Sequence, residues 1–156
     1  MAELWLFMPG NSEICPFCHD FTKAETSKPL RRSKDALHFL NHFRDKKQEY
    51  FVCLSLDSGR RLIARRIVTL GLLDSSLAHP REVFSGPLTD RAACVIIAHN
   101  HPSGDPSPSK QDIKLTQQLV AAGILLGMPL WDHIVIAKEG HFSFRQEGLI
   151  NEDVRY

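Results

Sequence analysis

Ala93-Cys-Val-Ile-Ile-Ala98 is an unbroken apolar run of strand length, and it constrains the fold more than any other segment of this chain. A strand with one wet face alternates apolar and polar side chains, because successive residues point to opposite faces. A run that is apolar throughout has both faces covered, and so belongs in the middle of a sheet with material packed on each side. The flanking segments supply that material. Ala36, Leu37, Leu40 and Phe43 recur at helical spacing behind Ser33, a residue suited to an N-cap. Tyr50–Leu56 and Leu62–Leu70 read as a hairpin turned by Asp57-Ser58-Gly59, and Trp131–Ala137 with His141–Arg145 as a second one turned by Lys138-Glu139-Gly140. A helix opening at His79-Pro80-Arg81-Glu82 is expected to kink or split at Gly86-Pro87, since proline removes a backbone donor. A further helix runs to about Leu126 with Pro108 in its first turn. The order α, β-hairpin, α, β, α, β-hairpin predicts an α/β fold, a mixed β-sheet flanked by helices.

At 156 residues the chain is of single-domain size. Residues 29–156 carry the periodic segments and form the expected domain. Residues 1–28 lack periodicity and read as a poorly structured N-terminal arm. Gly71 to Leu77 reads as a short strand or a loop. No apolar run approaches the roughly 18 residues needed to span a bilayer, so no membrane partner is expected. Met1 to Gly10 has no basic leader, which points to the cytoplasm. Cys53 and Cys94 lie in apolar runs and read as small hydrophobes. Cys15-Pro16-Phe17-Cys18-His19 has the spacing of a zinc knuckle or a haem attachment, but no second pair follows at a usable distance, and it reads as part of the arm. Charge is uneven: residues 21–66 hold 12 Lys and Arg against 5 acids, a local balance of +7 in a chain of net charge +1. That stretch is either a solvated surface or a weak nucleic-acid contact. The apolar stretch Leu62–Leu77 and the arm could serve an oligomer interface.

Reactive groups gather directly behind the apolar run. His99 and His101 are separated by one residue, so in extended backbone both imidazoles point the same way. Asp112 follows eleven residues after His101, at the start of the expected helix. Two neutral nitrogens and one carboxylate oxygen describe an open zinc site, with a position left for water. A lone His-x-His would be an ordinary polar loop. Ser109 and Asp112 also fit a capping box, in which the serine bonds the backbone amide three residues on. The two readings overlap, because a residue in a first helical turn can still aim its carboxylate at a metal.

The full spacing, His99-x-His101, seven residues, Ser109, two residues, Asp112, resembles the motif of the JAMM, or MPN-plus, metalloproteases. The surrounding words, His99-Asn-His-Pro-Ser-Gly-Asp-Pro-Ser-Pro-Ser and His79-Pro80-Arg81-Glu82, resemble the RadC family within that superfamily, over about Lys47 to Leu149. The resemblance implies a three-layer sandwich of the JAMM/MPN, cytidine-deaminase-like kind. It further implies one Zn²⁺ held by His99, His101 and Asp112, with Glu49 as general base on the activated water and Ser109 stabilising the developing oxyanion. Glu49 could otherwise be surface charge at a strand entrance. Asp132-His133, which recurs in RadC-like proteins, either orients a ligand from behind or is a structural pair at a strand end. RadC-like proteins often carry a helix-hairpin-helix region ahead of this domain. No room for one exists in these 156 residues, so a short form is expected and the family's DNA-repair association transfers less readily.

The implied activity is zinc-dependent hydrolysis of an amide bond in a peptide or isopeptide-linked protein. The rival is a DNA-associated protein tied to repair or a mobile element, with a structural metal or nuclease activity. Nuclease chemistry ranks lower, because phosphoryl transfer commonly recruits two metals and the motif supplies ligands for one. A catalytically silent scaffold is disfavoured by the intact motif.

Overall fold

In the computed structural model, residues 21–23, 28–71 and 78–150 are described, and along them the chain forms β1 (Phe21–Lys23), α1 (Ser33–Leu40) with a 3₁₀ turn (Asn41–Phe43), β2 (Tyr50–Leu56), β3 (Leu62–Leu70), α2 (Pro80–Thr89), β4 (Cys94–Asn100), α3 (Lys110–Leu125), β5 (Leu130–Ala137) and β6 (Gly140–Ser143). The Cys15/Cys18 pair and most of the segment Gly71–Leu77 lie outside the described residues. The strands make one sheet in the order β1-β3-β2-β4-β5-β6. Among the described residues, only β4 and β5 pair in parallel, and α3 makes the crossover that a parallel pair requires. The fold is therefore α/β with a mixed sheet flanked by helices.

Both faces of the central strands are covered. Phe51, Cys53, Val95, Ile97 and Val135 pack with Val83 and Phe84 of α2 and Leu119 of α3. The alternate residues Val52, Leu54, Leu56, Ile96, Ala98, Ile134 and Ile136 pack with Ala36 and Leu40 of α1 and with Phe43. Every residue of β4 is buried, which is why its sequence shows no alternation. Burying each such Val or Ile contributes ~1.5–3 kcal/mol, so this strand is firmly anchored.

Local details depart from the sequence expectations. Ser33 is the first helical residue rather than the N-cap of α1. The cap is made instead by the Asp35 carboxylate, which accepts from the amides of Arg31 and Arg32 at 2.8 and 2.9 Å. Pro108 precedes the N-cap Ser109 and so lies outside α3. Helix α2 is not split by Pro87 and runs unbroken from Pro80 to Thr89. That proline sits in the final turn and is itself buried beside Val83 and Phe84, so tertiary burial outweighs one missing backbone bond. Gly86 has its own reason. The Arg66 side chain crosses it, within 2.6 Å of where a Cβ would stand, to pair with both carboxylate oxygens of Asp90. In the β2–β3 hairpin the left-handed residue is Arg60 (φ 61°), one position after the expected turn glycine. Phe21–Lys23, inside the arm, pairs antiparallel with β3 as an edge strand.

Gly123 sets the entry into β5. A Cβ there would stand 2.6 Å from the Met128 carbonyl oxygen and 3.3 Å from Phe84 Cζ, so α3 can close on the start of β5 only with a bare backbone. Gly123→Ala is expected to destabilise the protein by about 1–3 kcal/mol through overpacking, read as a lowered urea midpoint.

Candidate metal centre

The C-terminal end of β4 carries His99, 1% exposed, with its ring stacked near Phe51 at 6.1 Å between centroids. The extended backbone continues one residue further, because the His101 amide donates to the Ile136 carbonyl at 2.8 Å. That continuation places His99 and His101 on one face, and their Nε2 atoms lie 3.0 Å apart. His101 Nδ1 contacts the Asp105 carbonyl at 2.9 Å. A carbonyl only accepts, so the proton sits on Nδ1 and the Nε2 lone pair is turned to the site.

Asp112 enters from the first turn of α3. Its Oδ2 accepts from the amide and the hydroxyl of Ser109, both at 2.7 Å, while Ser109 Oγ accepts from the Asp112 amide at 3.1 Å. The capping box and the ligand position thus coincide in one carboxylate. Its Oδ1 lies 3.3 Å from His99 Nε2, and Oδ2 lies 3.6 Å from His101 Nε2. Tetrahedral zinc with bonds of ~2.0–2.1 Å sets neighbouring donors about 3.3 Å apart. The two imidazole nitrogens at 3.0 Å, with one carboxylate oxygen 3.3 Å from the first and the other 3.6 Å from the second, lie close to that spacing, so the donor set fits a metal ion of this kind.

Glu49 approaches from β2. The antiparallel register pairs Phe51 with His99, which brings Glu49 opposite His101. Its carboxylate and the two imidazoles offer ligand atoms all within 4.8 Å of one another. The segment is held by Asn100, fully buried, whose Oδ1 accepts from the Tyr50 amide at 2.7 Å and whose Nδ2 donates to the Gln48 carbonyl at 3.0 Å. Sequence reasoning passed over Asn100, although it lies between the two histidines.

The Asp132-His133 pair divides between the two faces of the sheet. Asp132 accepts from Ser143 Oγ at 2.6 Å and from the Arg145 amide at 3.0 Å and touches none of the donors. His133 lies on the site's face, its Nε2 2.9 Å from His99 Nδ1 and its Nδ1 2.6 Å from Thr116 Oγ1. Thr116 was also missed, although four residues after Asp112 is the next position on the same helix face.

Electrostatics follow from these contacts. Burial works against the charge on Asp112, but its contacts with His101 and His99 and the hydrogen bond from Ser109 outweigh it and hold the carboxyl well below the usual carboxylate range. The Asp112 carboxylate beside it raises His101 above the ordinary imidazole value. Burial, then the neighbouring His99 imidazole, pushes His133 well down, which keeps it neutral. Burial raises Asp132. A cavity of about 570 Å³ lies elsewhere, against Cys94, Leu130, Trp131 and Arg145 at the opposite end of β4 and β5. The nitrogen and carboxylate donors converge away from that cavity.

A family model described as a RadC-like JAB domain matches residues 30–149. A UPF0758 protein of Geotalea uraniireducens is 44% identical over 113 residues, covering 72% of this chain and 50% of that protein. A UPF0758 protein of Bacillus licheniformis is 45% identical over 122 residues, covering 78% and 54% respectively. One from Methanosarcina mazei is 45% identical over 107 residues, covering 69% and 47%. The chain spans about half the length of these relatives. Among the described residues, no helix is long and apolar enough to cross a membrane.

Purified protein is expected to take up one divalent metal ion per chain by elemental analysis, with uptake lost in His101→Ala and in Asp112→Ala. Full retention in both variants would remove the site.

Proposed function

This chain belongs to the family of RadC-like JAB domains, and on that premise we propose that it is a zinc-dependent hydrolase of amide bonds, acting in the cytoplasm on a peptide or an isopeptide-linked protein. One observation carries the reading: His99, His101 and Asp112 converge at metal-ligand spacing with the Glu49 carboxylate alongside. The N,N,O donor set suits zinc. When bound there, zinc supplies Lewis-acid polarisation and lowers the pKa of water to ~7. The chain's own residues do the rest. Glu49 takes the proton of the attacking water as oxygen adds to the carbonyl carbon, then gives it to the amide nitrogen as the C–N bond breaks. A carboxylate and an amine leave. Ser109, exposed at the rim, turns its hydroxyl from Asp112 Oδ2 toward the oxyanion and so adds one donor in the transition state.

Glu49→Gln tests the assignment, since it keeps the shape and removes the base. Metal content is expected to stay at the parent level while hydrolysis of peptide and lysine-isopeptide substrates, followed by mass spectrometry, falls about 10²–10⁴-fold. Parental activity in this variant would show the base to be another residue.

A second reading, nucleic-acid contact through residues 21–66, is favoured by a separate observation. Arg31, Arg32, Arg60 and Arg145 line two adjoining cavities around Trp131. The guanidiniums of Arg60 and Arg145 stand 4.4 and 3.7 Å from the Trp131 ring centroid. Arginine beside an aromatic ring is a common platform for single strands. Binding of a fluorescent single-stranded oligonucleotide at low salt, weakening steeply as salt rises and reduced in Arg31→Ala/Arg32→Ala, is the expected outcome. No binding at low salt removes this reading.

A further inference from the structure

Behind the donors runs a chain of hydrogen bonds that the proposed chemistry does not use. Thr116 Oγ1 lies 2.6 Å from the Asp112 carbonyl oxygen and 2.6 Å from His133 Nδ1, and His133 Nε2 lies 2.9 Å from His99 Nδ1. Its direction is fixed by what each atom can do. The Asp112 carbonyl only accepts, so the single Thr116 hydroxyl proton is committed to it. Thr116 Oγ1 can then only accept from its other neighbour, which places the His133 proton on Nδ1. His133 Nε2 carries a lone pair and accepts, so His99 donates from Nδ1. The consequence arrives at the far end: His99 is left with its Nε2 lone pair facing His101 Nε2 and Asp112 Oδ1. Reversing one bond inside this chain would put two lone pairs or two protons together between its members, in a pocket where His99 and His133 are 1% and 0% exposed. The lone pairs left at its far end instead face His101 and Asp112 as a set that a cation would satisfy.

Packing holds the chain in place. His133 is stacked on Phe144 with ring centroids 4.6 Å apart and planes 10° apart, and Phe51 lies 6.1 Å from His133 at its edge. Thr116 is 2% exposed. Its Asp112 contact is also a helix i−4 back-bond, so the helix that delivers the carboxylate ligand dictates the tautomer of the imidazole ligand as well.

We propose that Thr116 and His133 are positioning residues that lock His99 in the Nδ1–H tautomer and thereby set the metal affinity of this site. The inference rests on the reading that His99, His101 and Asp112 hold the ion. It makes the threonine hydroxyl, about two residues' contact away from the ion, a determinant of its binding. Partners of this kind typically tune metal affinity by 10–100-fold.

Two measurements decide it. In metal-free protein labelled with ¹⁵N-histidine, long-range ¹H–¹⁵N spectra are expected to show His99 and His133 both protonated on Nδ1. A His99 proton on Nε2 would overturn the proposal without any metal being added. Zinc affinity is then measured by competition with a chromophoric chelator at fixed pH for the parent, Thr116→Val and Thr116→Ser. Thr116→Val, nearly isosteric, is expected to bind zinc roughly 10–100-fold more weakly, and Thr116→Ser to return toward the parent. Parental affinity in a folded Thr116→Val protein would also overturn it. Should Thr116→Val fail to fold, the tautomer spectrum of the parent decides alone. A parent that takes up no zinc defeats the hydrolase reading, while the spectrum still judges the hydrogen-bond chain.

Discussion

Burial of β4 on both faces is the constraint from which the rest follows. A strand covered by α2 and α3 on one side and α1 on the other cannot slip in register, since a one-residue shift would exchange every buried side chain between faces. Whatever sits at its C-terminal end is therefore placed by the whole core. His99 is the sixth residue of that strand and shares its burial, so the imidazole is held like a core residue rather than like a loop residue. The neighbours inherit the same precision: β2 brings Glu49 through the Phe51–His99 pairing, and β5 brings His133 opposite Ile97.

Packing several polar groups into such a face is costly unless each finds a partner, because an unsatisfied buried donor or acceptor costs about 1–3 kcal/mol. Asp112, Thr116, His99 and His133 are all within 4% exposure. Among the described residues, none of their buried side-chain nitrogens or oxygens lacks a hydrogen-bond partner. The site is a small polar network enclosed by Phe51 and Phe144, which strengthens each electrostatic contact inside it. The same enclosure explains why the carboxyl of Asp112 stays ionised while His133 stays neutral: the first has two imidazoles and the Ser109 donors around it, and the second has burial and another imidazole.

Sequence legibility divides along a physical line. The strand and helix pattern, the one-sided His99 and His101, and Asp112 in a first helical turn were readable because they depend on periodicity and local spacing. What depended on contact between distant segments was not. The residue facing His101 across the sheet is fixed by a register that no local pattern encodes, and for Glu49 only the resemblance pointed there. Asn100 looked like a linker between two histidines, yet its amide ties the chain ahead of β2 to the end of β4. Pro87 carries a strong local signal for breaking a helix, and burial of the surrounding turn overrode it. Phe21–Lys23 shows no strand pattern, and three residues become a strand only because the edge of β3 lies beside them. The likeness between Asp132 and His133 as a polar pair dissolves once strand alternation sends them to opposite faces.

Ser109 and Asp112 show why local folding rules and chemistry need not compete. A helix N-terminus leaves backbone donors unpaired and favours negative charge, and a capping box meets both needs with one carboxylate. Here Oδ2 answers the Ser109 amide and hydroxyl, which fixes the plane of the group and leaves Oδ1 facing His99. The orientation required to start α3 thus also turns a carboxylate oxygen toward the buried imidazole. Between the strand end and the helix start, the loop has only to close the gap, and it does so with a left-handed Gly104 (φ 92°) and the Asp105 carbonyl beneath His101. Two donors anchored by sheet pairing and one by a helix cap hold the centre without asking the loop for precision. An exposed loop can therefore border a buried polar cluster without loosening it.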